Sequence, residues 1–112
     1  MILSRNKLEE LKQNKYAMIV VGPLEKEDKD NLFKTHRNYN GNKTYVGESH
    51  IELFCCHDVS SSIRDEYNFN GDTMLLLLKD GFVVRTLDES RLFTNIHALS
   101  NMIHDDLGIY ID

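Results

Sequence analysis

Cys55-Cys56-His57-Asp58, followed by Ser60-Ser61-Ser62, is where this chain brings a thiol, an imidazole, a carboxylate and hydroxyls within a few residues. Two chemistries come to mind. A cysteine with a neighbouring histidine can form a thiolate nucleophile when its pKa is lowered. A Ser-His-Asp set can activate a hydroxyl. Both need a geometry that sequence neighbours rarely reach. On a strand, adjacent side chains point to opposite faces, so at most one of Cys55 and Cys56 faces solvent or a ligand at a time. A disulfide between them would close a strained eight-membered ring. The simpler expectation is that both cysteines are small buried hydrophobes, as free cysteines usually are. No glycine elbow surrounds the serines, and helix capping accounts for them better. Asp58 remains a candidate to orient the His57 ring.

The other polar groups offer less. Five histidines (His36, His50, His57, His97 and His104) show no His-x-x-x-His spacing. His97 and His104 can share a helix face near Asp105, but no third ligand joins them. His50 and His57 fall at opposite ends of one strand, about 20 Å apart. No metal site and no cofactor is therefore expected. Gly22-Pro23-Leu24 lacks the spacing of a phosphate-binding loop. Tyr39, Tyr45 and Tyr110 fall in loop or tail, whereas Phe33, Phe54, Phe69, Phe82 and Phe93 are expected mostly in the core.

The chain has 112 residues, 41% of them hydrophobic and 28% charged, which suits one globular domain over residues 1–112 with a modest core. A net charge of −5 gives no footprint for nucleic acid. The Lys26–Arg37 stretch also carries Glu27, Asp28 and Asp30, so it reads as a solvated helix face. No segment approaches the length of a membrane helix. The first residues lack the apolar region of a signal peptide. The residues leave the compartment open: cytoplasmic, or secreted or periplasmic for a form that has lost a leader.

The elements that must position these groups follow from apolar pattern. Leu3 to Asn14 reads as a helix with Ser4 as N-cap and Leu8 and Leu11 on one face. Tyr16 to Val21 is apolar throughout, as in a strand covered on both sides. Leu24 to Asn38 reads as a second helix, with acidic residues early and basic residues late. Tyr39 to Ser49 is a turn-rich connection. Ile51 to Cys56 is a strand, and Ile63 to Asn68 a short helix capped from Ser60-Ser61-Ser62. Met74 to Leu87 holds two apolar runs joined by Lys79-Asp80-Gly81, a strong hairpin signal. Asp88 or Ser90 begins a last helix to about Asp105, with Leu92, Phe93, Ile96, Leu99 and Ile103 as its apolar stripe. Leu107 to Asp112 is a tail with a short extended piece. Two strand-helix-strand crossovers imply parallel neighbours, and the hairpin an antiparallel pair. The expected architecture is α/β: a four-stranded mixed sheet with helices on both faces.

From Tyr16 onward, over about four fifths of the chain, this order resembles the thioredoxin-like fold, βαβαββα, here with an extra N-terminal helix. The stretch from Ile63 to Arg85 is similar to the second half of a thioredoxin: a helix, a Leu-Leu-x-Lys-x-Gly turn and a valine-rich strand. The redox hallmarks do not carry over. Where thioredoxins place Cys-x-x-Cys, this chain has Gly22-Pro23-Leu24-Glu25-Lys26-Glu27. Where they place a proline before the third strand, it has Gly71-Asp72-Thr73-Met74.

The chain also resembles a thioredoxin-like family of unknown function, shared by sushi-repeat matrix proteins of animals and short bacterial proteins. Ile19 to Pro23 matches that family's Ile-Val-x-Gly/Ala-Pro. Leu76 to Arg85 matches its Leu-x-x-Lys-Asp-Gly hairpin to within one position, and Leu92-Phe93 its final helix. The family's Met-Pro-Met-Arg-like ending has no counterpart after Ile103-His104-Asp105-Asp106.

The resemblance implies a redox-inactive binding or interaction module, with a protein or small-molecule partner and no oxidoreductase activity of the usual kind. Its site is expected at Pro23, His57, Asp72 and Thr73, the loops that thioredoxin-like folds use. The residues leave two rivals: a thiol-dependent enzyme using Cys55 or Cys56 with His57, and a structural subunit that forms a homodimer through its acidic C-terminal segment or a sheet edge.

Overall fold

The computed structural model describes residues 2–40, 50–87 and 96–108; at 38–40 and 96–98 only the backbone is described. The expected last helix start (Asp88 or Ser90), Leu92, Phe93, the Asn40-Gly41-Asn42 turn beyond Asn40, Tyr45 and the Ile109–Ile111 extension lie outside the described residues.

Four strands form the main sheet: β2 (Tyr16–Val21), β3 (Glu52–Cys56), β5 (Met74–Lys79) and β6 (Phe82–Leu87), in the order β3-β2-β5-β6. The two all-apolar runs, β2 and β5, are the inner pair, and each is buried along its length except at Lys79. That is where continuous apolar runs belong, because both faces of an inner strand are covered. Between Asp80 and Gly81 the chain turns with φ of +52° and +87°. Two successive positive φ values define the type I′ turn that Asp-Gly favours. The turn is docked, since the Asp80 N–H donates to the Lys15 carbonyl at 2.8 Å. A register shift between Leu77 and Leu78 leaves Val84 as the extra residue of a bulge in β6.

Alternation along the inner strands divides the core in two. Tyr16, Met18, Val20, Leu75 and Leu77 face α2 (Lys26–Asn40) and α4 (Ile96–Leu107), where Leu32, Leu99, Met102, Ile103 and Leu107 meet them. Ala17, Ile19, Val21, Met74, Leu76 and Leu78 face α1 (Arg5–Leu11) and α3 (Ser61–Glu66), through Leu8, Leu11, Ile63 and Phe69. Ser4 caps α1 as its sequence implies: its hydroxyl accepts from the Lys7 N–H at 3.1 Å. Ser60 holds the N-cap position of α3 but makes no side-chain cap bond. The serine-capping expectation fails there, because the Ser60 hydroxyl lies instead beside Ser62, at 3.4 Å.

Three features depart from the sequence expectations. First, β2 and β3 are parallel, but β5 runs antiparallel to β2 rather than completing a second parallel crossover. The reason is length. The six residues of α3 rise about 9 Å, too little to return the chain along a strand of about 20 Å. The chain therefore re-enters the sheet from the end at which it left. Second, β3 does not end at Cys56: after a bend at His57 it continues as β4 (Asp58–Val59), which pairs in parallel with β1 (Ile2–Leu3). Two residues are too few for apolar alternation to reveal either strand. Third, not all phenylalanines are core. Phe69 is 3% exposed, whereas Phe82 is 72% and Phe33 42% exposed. Phe82 sits beside the hairpin turn on the outer strand β6, and Phe33 sits part-exposed on α2.

Among the described residues no helix is long and apolar enough to cross a membrane.

Candidate functional site: a cleft at the ends of β2 and β3

β2 and β3 run side by side and finish together, with Val20 opposite Cys55 and Val21 opposite Cys56. Just past them the Gly22 N–H donates to the Cys56 carbonyl at 2.9 Å. The chain then leaves through Pro23 and Leu24 to enter α2, which crosses above. The carboxyl ends of parallel strands are where open α/β sheets place ligands. Here they enclose a cleft of about 460 Å³. Its floor is Val20, Cys55 and Cys56; its rim is Gly22, Pro23, Leu24 and His57; its roof is Lys29, Leu32 and Phe33 of α2.

The sequence candidates divide around this cleft. Pro23, Cys55, Cys56 and His57 all line it. Asp72 and Thr73 lie behind its rim. The Thr73 hydroxyl donates to the Pro23 carbonyl at 3.0 Å, and a Cβ built on Gly22 would stand 1.8 Å from the Asp72 carbonyl oxygen. Gly22 itself has φ +103°. These two residues therefore brace the rim from the other side without reaching the cleft. The sequence assigns Lys29, Leu32 and Phe33 no site role, placing Phe33 in the core and Lys29 on a solvated helix face. Their signal was spacing: at i, i+3 and i+4 on one helix they share a face, and that face carries one cation beside two apolar groups.

The cysteines separate as strand alternation requires. Cys56 is 6% exposed within the core shared with α1 and α3, its thiol 3.8 Å from the Val20 carbonyl. Burial pushes its pKa up to about 11, only partly offset by the backbone amides of Leu3 and Asp58. Cys55 is exposed at the cleft, which corrects the expectation that both thiols are buried. β3 is an outer strand, and Cys55 lies near its end, where it opens into the cleft beneath α2. Even so, the apolar surroundings of Cys55 push its thiol pKa up, and the nearby Lys29 ammonium opposes this more weakly. Neither thiol is tuned toward a thiolate.

Asp58 does not orient His57. Its carboxylate accepts from the Val59 N–H at 2.8 Å and from Arg64, and these two partners hold its pKa below the ordinary aspartate value. Ser60 lies beside Ser62 at 3.4 Å and Ser62 accepts from Arg5 at 3.2 Å, and neither meets His57 or Asp58 in a Ser-His-Asp arrangement. His36 meets the Ile51 carbonyl at 2.6 Å and His50 the Glu52 carboxylate at 3.3 Å. Among the described residues, no three His, Cys, Asp or Glu side chains gather as a metal site would need.

No family model matches the sequence, and no curated protein does. Solved structures do match. A chain from a study of thiol resolution in yeast mitochondrial 1-Cys peroxiredoxin by glutathione/thioredoxin systems superposes with a TM-score of 0.62 at 20% identity, covering 93% of this chain and 94% of that one. A cysteine-to-serine variant of Entamoeba histolytica thioredoxin gives 0.60 at 16% identity, covering 94% and 99%. Oxidised Plasmodium falciparum thioredoxin also gives 0.60 at 16%, covering 94% and 97%. The fold is thioredoxin-like: a four-stranded mixed sheet between helices, as the residue pattern from Tyr16 onward suggested. At these identities the likeness speaks for the fold alone.

Proposed function

We propose that this chain is a redox-inactive thioredoxin-like binding module, akin to the family of unknown function shared by sushi-repeat matrix proteins and short bacterial proteins. The observation that carries the proposal is the junction of β2 and α2. There Gly22-Pro23-Leu24-Glu25 stands where a thioredoxin keeps its dithiol. The junction is instead packed against Asp72-Thr73 so closely that a Cβ at Gly22 would not fit. The site of the module is the cleft of Pro23 and His57, with Asp72 and Thr73 supporting its rim. Its occupant is a small molecule or a segment of a protein partner.

One observation favours a second reading, a thiol-dependent enzyme: Cys55 opens into the same cleft as His57 and Lys29. Thiol alkylation against pH separates the two. The rate follows the thiolate, so a thiol pushed upward reacts half-maximally above the ordinary cysteine value of about 8.5. The binding module predicts that outcome for Cys55, measured in a Cys56→Ser variant. Cys56, measured in a Cys55→Ser variant, should titrate near 11. A midpoint for Cys55 a unit or more below about 8.5 would establish an activated nucleophile and overturn the proposal.

A further inference from the structure

The cleft has a chemistry of its own. Its walls are apolar, formed by Val20, Leu24, Leu32 and Phe33, and Lys29 is the one Lys, Arg, Asp or Glu that lines it among the described residues. The chain carries 18 Asp and Glu against 13 Lys and Arg, yet none of those carboxylates lines the cleft among the described residues. A protein of net acidic composition thus holds a small, largely apolar cleft whose one Lys, Arg, Asp or Glu among the described residues is a cation. Cavities of about 300–1,000 Å³ with apolar walls and few polar groups are those that take small molecules. Lys29 is exposed, so a neutral apolar guest would leave its ammonium to water and gain nothing from it, and a cationic guest would be repelled. An anionic head on an apolar body satisfies both parts: the body against Leu32 and Phe33, the head at Lys29, with the His57 ring as a second polar contact.

Resting on the binding-module reading and deepening it, we propose that this cleft binds a small amphipathic carboxylate, held by Lys29 at its charged end and by Leu24, Leu32 and Phe33 along its body. Charge-assisted hydrogen bonds are roughly twice as strong as neutral ones, so the carboxylate is the group that selects. The apolar wall sets affinity, and Lys29 sets the class of ligand.

The test is a titration followed through the backbone N–H signals, using phenylbutyrate, its neutral analogue phenylbutyramide and the cation phenylbutylamine. Phenylbutyrate is expected to shift Gly22, Leu24, Lys29, Phe33 and His57 saturably, while β5 and α4 stay unmoved. Phenylbutyramide is expected to bind about tenfold more weakly, a difference of about 1.4 kcal/mol, and phenylbutylamine more weakly still. Lys29→Gln should reduce phenylbutyrate to the level of phenylbutyramide and leave phenylbutyramide unchanged; unmoved core signals show that the variant is folded. Equal binding of all three probes, indifference to Lys29→Gln, or no saturable shift at the cleft would each overturn the carboxylate proposal. None of these outcomes touches the thiol titration, on which the binding-module reading stands or falls separately.

Discussion

Gly22→Ala is expected to destabilise the protein by about 2–5 kcal/mol, combining a left-handed backbone for a residue with a Cβ and a contact that the fold cannot relax cheaply. Gly22 has φ +103°, and its Cβ would meet main chain, not a flexible side-chain end: the Asp72 carbonyl oxygen at 1.8 Å and its carbon at 2.8 Å. To admit the methyl group, the turn after β2 must separate from the loop before β5. That motion would break the Thr73-to-Pro23 hydrogen bond that supports the cleft rim. Gly81→Ala is the control. Its φ of +87° is also left-handed, but its added Cβ would meet nothing nearer than the Lys12 carbonyl at 3.6 Å. Its cost should stay near the conformational term alone, about 1–2 kcal/mol. Urea unfolding of both variants measures the difference. Equal losses would mean that the close approach at Gly22 does not constrain the site.

Leu76→Ala should cost about 2–5 kcal/mol, as expected for removing a fully buried leucine from a packed core. Leu76 is 0% exposed at the centre of β5, opposite Ile19 of β2, on the face covered by α1 and α3. Phe82→Ala removes a larger side chain from the neighbouring strand, yet at 72% exposure it should change stability by no more than about 0.5 kcal/mol. The pair tests whether the inner strands carry the fold. A Phe82→Ala loss as large as that of Leu76→Ala would place the core elsewhere.

Those two sites also mark what the residues alone disclosed. The hairpin was legible because Asp80-Gly81 specifies its turn locally and four successive leucines need cover on both sides. The buried β2 was legible for the same reason. The direction of β5 was not, because it depends on the length of α3 relative to a strand and not on any residue pattern. β1 and β4 escaped because pairing two residues with two is a tertiary event. In the site, Pro23, His57, Asp72 and Thr73 are expected from the loops that thioredoxin-like folds use; Pro23 and His57 line the cleft, and Asp72 and Thr73 do not. Lys29 was concealed by its neighbours. Amid Glu27, Asp28 and Asp30 it read as one more solvated charge, and only its phase on α2 with Leu32 and Phe33 distinguishes it. Cys55 was misjudged because residue type predicts burial on average, whereas the end of an outer strand determines it here.

The central claim, a thioredoxin-like scaffold without thioredoxin chemistry, is met most directly by the insulin disulfide reduction assay with dithiothreitol as reductant. The account predicts precipitation of insulin chains at the uncatalysed rate, and the same rate for a Cys55→Ser/Cys56→Ser variant. Turnover above that background, lost on Cys55→Ser, would contradict it.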